Sequence, residues 1–167
     1  MRTFFTILML TCLTTLSAQR QRSKPVLHEV NNKEIVQKVY PTASKVEKAN
    51  EYWFKILDDK GKVIGFAMSS NSFCKNIIGY SSTTPVLIIT DLKFVIKKVA
   101  LLSHEETLGY VYKLEKNGFF DLWNDKTLKA AKKVRIDGYS GATCTAKAVE
   151  KNVDFLLTNG TQKLPKK

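Results

Sequence analysis

Apolar and polar positions run along this chain with two periods, and the order in which they appear outlines a fold. In residues 31–40, NNKEIVQKVY, the side chains Ile35, Val36 and Val39 share one face at helical spacing, after an opening Asn and before Pro41. That pattern predicts a short amphipathic helix. Residues 51–70, EYWFKILDDKGKVIGFAMSS, carry two apolar, β-prone runs on either side of Asp58-Asp59-Lys60-Gly61, a hairpin signature. The arrangement recurs in PVLIITDLKFVIKKVALLS, where residues 86–89 and 95–102 flank a reversal at 90–94. Two successive hairpins predict a twisted antiparallel sheet, half-barrel-like in form.

After Ser103 the period lengthens. Leu108, Val111, Tyr112 and Leu114 recur near 3.6 residues, and Asn117-Gly118 supplies a stop, so a second short helix is expected. FFDLW reads as an apolar anchor, KTLKAAKKV as a short basic helix or turn, and VRID as a brief strand. The last element is a helix in which Ala142, Ala146, Val149, Val153, Leu156 and Leu157 form one apolar stripe, with Lys147, Glu150, Lys151 and Asp154 largely opposite. Helix, strands, helices, brief strand and helix make an α+β fold: a sheet flanked by short helices, closed by a C-terminal helix.

Composition narrows the class. With 167 residues, 44% of them hydrophobic and 25% charged, the chain is one domain with appendages, and wholesale disorder, collagen-like repeats and a multi-span membrane protein are excluded. The first eighteen residues, MRTFFTILMLTCLTTLSA, have one early charge, an apolar run and a small-residue end, the layout of a secretory signal peptide. A retained membrane anchor is the alternative, although the run is shorter than the ~20 residues a span prefers. The expected organisation is a signal peptide at 1–18, a flexible basic leader at 19–30, the folded domain at 31–160 and a basic tail at 161–167. Beyond the signal only Cys74 and Cys144 remain, too few for a disulfide framework, and whether they pair is left open.

The stretch richest in chemistry is Asp137-Gly138-Tyr139-Ser140-Gly141-Ala142-Thr143-Cys144-Thr145, a glycine-containing turn that runs directly into the last helix. A helix start exposes backbone N–H groups and a partial positive charge, and Gly141 lets backbone approach a ligand closely, as a phosphate site requires. A plain cap by Ser140 or Thr143 accounts for the same residues, and both readings stand at this point.

Asp137, two variable residues, then Ser140-Gly141-Ala142-Thr143 resemble the covalent flavinylation motif of the FMN-binding domain family, found in the peripheral flavin subunits of the sodium-translocating NADH:quinone reductase and the Rnf complex and as small exported proteins. Two further stretches agree. Ser103-His104-Glu105-Glu106-Thr107-Leu108-Gly109 is similar to the family's H-x-E-T-P-G segment, with Leu108 where the family has Pro. Gly79-Tyr80 with Pro85-Val86-Leu87 is similar to the segment before its central hairpin. The resemblance covers roughly residues 60–157. It implies FMN joined through a phosphoester to Thr143, within the turn Ser140-Gly141-Ala142, with Asp137 read by a flavin transferase outside the cytoplasm. It also implies that Glu106 and Thr107 offer hydrogen-bonding atoms to the isoalloxazine ring, and that Tyr80, Leu108 and Tyr110 wall it.

The functional expectation is therefore an exported carrier, periplasmic or membrane-associated, that passes electrons between partners and need not have a substrate of its own. A flavin-free binding module of the same fold and a small reductase acting directly on a small acceptor are the alternatives. The 27 basic against 15 acidic residues, a net +12, accompany no aromatic interleaving or groove-reading motif, which argues against nucleic acid. Steering toward a redox partner that is acidic or membrane-bound is the functional use of such a charge. His104, Glu105 and Glu106, even with Cys74 or Cys144, match no standard zinc spacing.

Overall fold

The computed structural model of the protein describes residues 25–136, 139 and 141–166. The expected signal peptide at 1–18 and most of the leader lie outside these residues, as do Asp137 and Ser140.

The first helix, α1 (Asn32–Val39), begins where its sequence directs. The Asn31 side chain accepts from the amides of Lys33 and Glu34 at 3.1 and 3.4 Å and donates to the Glu34 carboxylate at 3.0 Å, satisfying donors that a helix start leaves open. Its buried residues, Ile35 and Val36, lie against one face of the sheet.

Five strands follow, β1 (Ala43–Lys48), β2 (Trp53–Asp58), β3 (Val63–Ser69), β4 (Val86–Thr90) and β5 (Ile96–Leu101). They pair antiparallel in chain order, β1-β2-β3-β4-β5, as an open sheet. Aspartates set both predicted reversals. Asp58 accepts from the amides of Lys60 and Lys62, and Asp91 from those of Lys93 and Val95, the side-chain mimicry of a turn that favours this residue. β4 is buried along its whole length. Its unbroken apolar run reflects cover on both faces, as the sheet's interior demands.

One face carries Trp53, Phe66, Met68, Ile88 and Val99, packed with α2 (Leu108–Lys116), the 3₁₀ helix Phe119–Trp123, α3 (Leu128–Ala131) and α4 (Thr143–Gly160). The whole predicted stripe of α4 is buried. Its far end is fixed by the Trp53 indole, which donates to the Gly160 carbonyl at 2.9 Å.

Four features differ from the sequence reading. β1 was not expected, because ASKVEK buries only Ala43 and presents its remaining side chains to solvent, so no apolar alternation marks it; the charges suit an edge strand. Of the strand expected at 134–137, the described residues 134–136 form none. Leu108 and Tyr112 belong to the expected stripe of α2 yet are exposed, the core side being Val111 and Leu114. The end of the leader is held rather than flexible: His28 and His104 exchange backbone hydrogen bonds at 2.7 and 3.1 Å, and the Val30 amide donates to the Ser103 hydroxyl. Lys163 in the tail likewise pairs with Glu51 and accepts through its carbonyl from Asn50.

Candidate functional site

The three stretches singled out in the sequence, separated along the chain, meet at one carboxylate. Glu106 lies in the segment before α2 and is 1% exposed. Its Oε1 accepts from the amides of Ser81 and Ser82 at 2.8 and 2.9 Å, and its Oε2 from the Tyr80 amide at 3.0 Å. The Thr145 hydroxyl, in the first turn of α4, donates to the same Oε2. Burial pushes this carboxyl up, but the bonds from Thr145, Ser82, Ser81 and Tyr80 outweigh it and hold it below the usual carboxylate range.

The loop around Glu106 is closed by the Gly79 amide, which donates to the Ser82 carbonyl at 2.7 Å. A Cβ at Gly79 would stand 2.7 Å from Glu106 Oε1 and 2.8 Å from Thr84 Cγ2, so only glycine permits the wrap. Thr84 is buried and meets α4 again, through the Asn152 amide at 3.4 Å. On the other side, the Glu106 amide donates to His104 Nδ1 at 3.1 Å, which fixes that nitrogen as the unprotonated one. Burial, then the neighbouring His28, lower the His104 pKa against the opposing pull of Glu106; the two imidazoles lie 5.4 Å apart.

Thr143 is the first residue of α4 and is exposed, its hydroxyl donating to the Tyr139 carbonyl at 2.8 Å. The cap position is Ala142, and no side chain among the described residues caps the helix. The alternative of a simple cap by Thr143 is therefore not what the fold uses; Ser140 falls outside the described residues. Gly141, at φ +81, takes the left-handed conformation that favours glycine. The Lys113 ammonium on α2 comes within 2.6 Å of where a Gly141 Cβ would stand.

The sequence-predicted site residues thus separate by role. Thr107 is exposed at the cap position of α2 and its side chain makes no capping bond. Leu108 is 53% and Tyr80 43% exposed, and the Tyr80 ring meets that of Tyr110 edge to face at 4.9 Å. Glu106 does not present its carboxylate outward: its acceptors are occupied from within, and burial makes it the organiser of the site. Cys74, buried, and Cys144, exposed, are both free thiols, and no cluster of three or more metal-ligating side chains occurs among the described residues.

Thr145, Ser81, Ser82 and Lys113 escaped the sequence reading. Only Thr145 had a detectable signal, since it lies at helical spacing from Ala148, Val149 and Asn152 on a buried arc wider than the apolar stripe.

Residues 79–158 match the FMN-binding domain family. The converging loop, the α2 segment and the start of α4 all lie within the matched residues. A solved structure of NqrC from Shewanella oneidensis is similar at 20% identity, covering 74% of this chain and 70% of that one, with a TM-score of 0.42. No curated protein sequence matches the chain.

Proposed function

We propose that the protein is an exported electron carrier whose FMN is joined through its phosphate to the Thr143 hydroxyl. The observation that carries this reading is the environment of Thr143. It is an exposed hydroxyl at an N-terminus that no side chain among the described residues caps, preceded by a left-handed glycine and approached by a lysine ammonium. That set of groups fits a phosphate in shape and charge, because a helix start stabilises an anion by about 0.3–1 kcal/mol at an exposed position. Thr145, the other hydroxyl of the motif, is fully buried and engaged with Glu106, which leaves it inaccessible to a modifying enzyme.

The Thr143 Oγ1–phosphorus bond forms as the pyrophosphate P–O bond of a flavin dinucleotide donor breaks, its nucleoside monophosphate leaving and the hydroxyl proton being released, so the net gain of the chain is one FMN less one water. FMN supplies the redox chemistry; the protein supplies position and electrostatics. Thr143, Gly141 and Ala142 hold the phosphate end. Thr107 offers a hydroxyl and Tyr80, Leu108 and Tyr110 offer apolar surface to the ring. Glu106 acts behind them, holding the 79–82 loop, the approach to α2 and the first turn of α4 in one arrangement.

Covalent attachment suits an extracytoplasmic protein, since a dissociated flavin would be lost there. The signal-peptide pattern at 1–18 supports export, and among the described residues no helix is long and apolar enough to cross a membrane. Asp137 is the residue a flavin transferase would recognise, and the net charge of +12 favours an acidic or membrane-bound redox partner. The test is flavin fluorescence on a denaturing gel after co-production with a flavin transferase. Wild type is expected to carry a yellow-fluorescent band that Thr143→Ala lacks; a fluorescent Thr143→Ala band would overturn the assignment.

A further inference from the structure

We infer that the Lys113 ammonium is the charge partner of the flavin phosphoester, an inference that rests on the covalent FMN reading above. Lys113 lies on the solvent side of α2, whose core contacts are Val111 and Leu114. The negative end of α2 favours a cation in its last turn, where Lys113 and Lys116 both stand, but this does not account for the reach of Lys113 across to the next element. Its ammonium lies against Gly141, within 2.6 Å of the Cβ position there, and so at the positive end of α4. A cation at that end is repelled unless an anion joins it. None of the four ion pairs among the described residues includes Lys113, so no carboxylate among those residues supplies that anion. A phosphodiester on Thr143 retains one negative charge and belongs to the same turn.

The consequence is structural as well as electrostatic. Lys113 follows Glu106, Thr107 and Leu108 by less than two helical turns, so a bond from its ammonium to the phosphate ties the segment proposed to flank the ring to the element that carries the attachment. Gly141 keeps the space open: its φ of +81 already disfavours a side chain, and any side chain there would meet the ammonium.

The experiment compares loaded chain, produced with a flavin transferase, and unloaded chain, produced without it. Each is prepared as wild type, Lys113→Met and Lys113→Arg. Intact mass establishes loading, and thermal unfolding is followed at low salt and at 1 M NaCl. The expected result is that Lys113→Met lowers the Tm of the loaded form by ~1–4 °C and leaves that of the unloaded form unchanged or slightly raised. Lys113→Arg retains the loaded value, and high salt narrows the gap between wild type and Lys113→Met. Equal shifts in the two forms would overturn the role of Lys113 while leaving the adduct standing. Absence of the adduct in loaded wild type would instead remove the covalent reading, and this inference with it.

Discussion

The Thr145 hydroxyl donates to the Glu106 carboxylate across 39 residues of sequence, and both groups are buried. This bond joins the helix that presents Thr143 to the segment that leads into Thr107 and Leu108. Three backbone amides of the 79–82 loop complete the carboxylate's shell. These segments are thus held together by an anion belonging to the protein, and the phosphate proposed on Thr143 would lie on the outer side of the same helix turn.

Replacing Glu106 by Gln keeps the shape but turns an amide NH₂ toward donors that need an acceptor. Leaving such buried groups unsatisfied costs about 1–3 kcal/mol. Glu106→Gln is expected to lower stability by that amount in chemical denaturation of the unloaded protein. A variant as stable as wild type would show that the carboxylate's charge is not needed there.

Acid should weaken the fold in two stages. Both His104 and Glu106 hold protons less tightly in the folded than in the unfolded state, so each stabilises the fold at high pH and ceases to as pH falls through its folded value. His104 begins to cost stability as pH drops below about 6.5, and Glu106 below about 4.3. Denaturation from pH 8 to pH 3 is expected to show a loss with two slopes. His104→Gln should remove the upper slope alone, and an unchanged upper slope in that variant would assign it elsewhere.

Gly79→Ala tests how closely the loop wraps Glu106. Its Cβ would stand 2.7 Å from the carboxylate, and relieving such an overlap typically costs about 1–3 kcal/mol. Melting of the unloaded protein should show the loss, whereas an unaltered Tm would mean the loop relaxes freely.

Among the residues proposed to flank the ring, Thr107 has an exposed side chain that is not used in capping. A hydrogen bond worth about 0.5–1.5 kcal/mol that differs between oxidation states shifts a two-electron potential by roughly 10–30 mV. Thr107→Val is expected to show a shift of this size with loading unchanged. No change in potential or visible spectrum would remove Thr107 from the ring's surroundings.

The elements legible in the sequence were those whose burial is one-sided and periodic, or whose turns carry a chemical marker. α1, with its Asn31 cap, both aspartate-centred hairpins and the stripe of α4 are of this kind. β1 was not legible, because an edge strand with one buried side chain has no apolar alternation. The motif segments were visible as sequence, but the inward turn of Glu106 was not: a carboxylate beside a helix start reads the same whether it faces a ligand or a loop, and only the fold supplies the amides of Tyr80, Ser81 and Ser82. Lys113 was one lysine among many until α2 and α4 were placed side by side.

The central claim is tested most directly by the intact mass of the chain co-produced with a flavin transferase, followed by peptide mapping. The expected result is a gain of one FMN less one water on the peptide containing Thr143, retained in Thr145→Ser, which keeps the hydroxyl that Glu106 accepts from, and absent in Thr143→Ala. An unmodified wild-type chain, or an adduct that survives in Thr143→Ala, would contradict it.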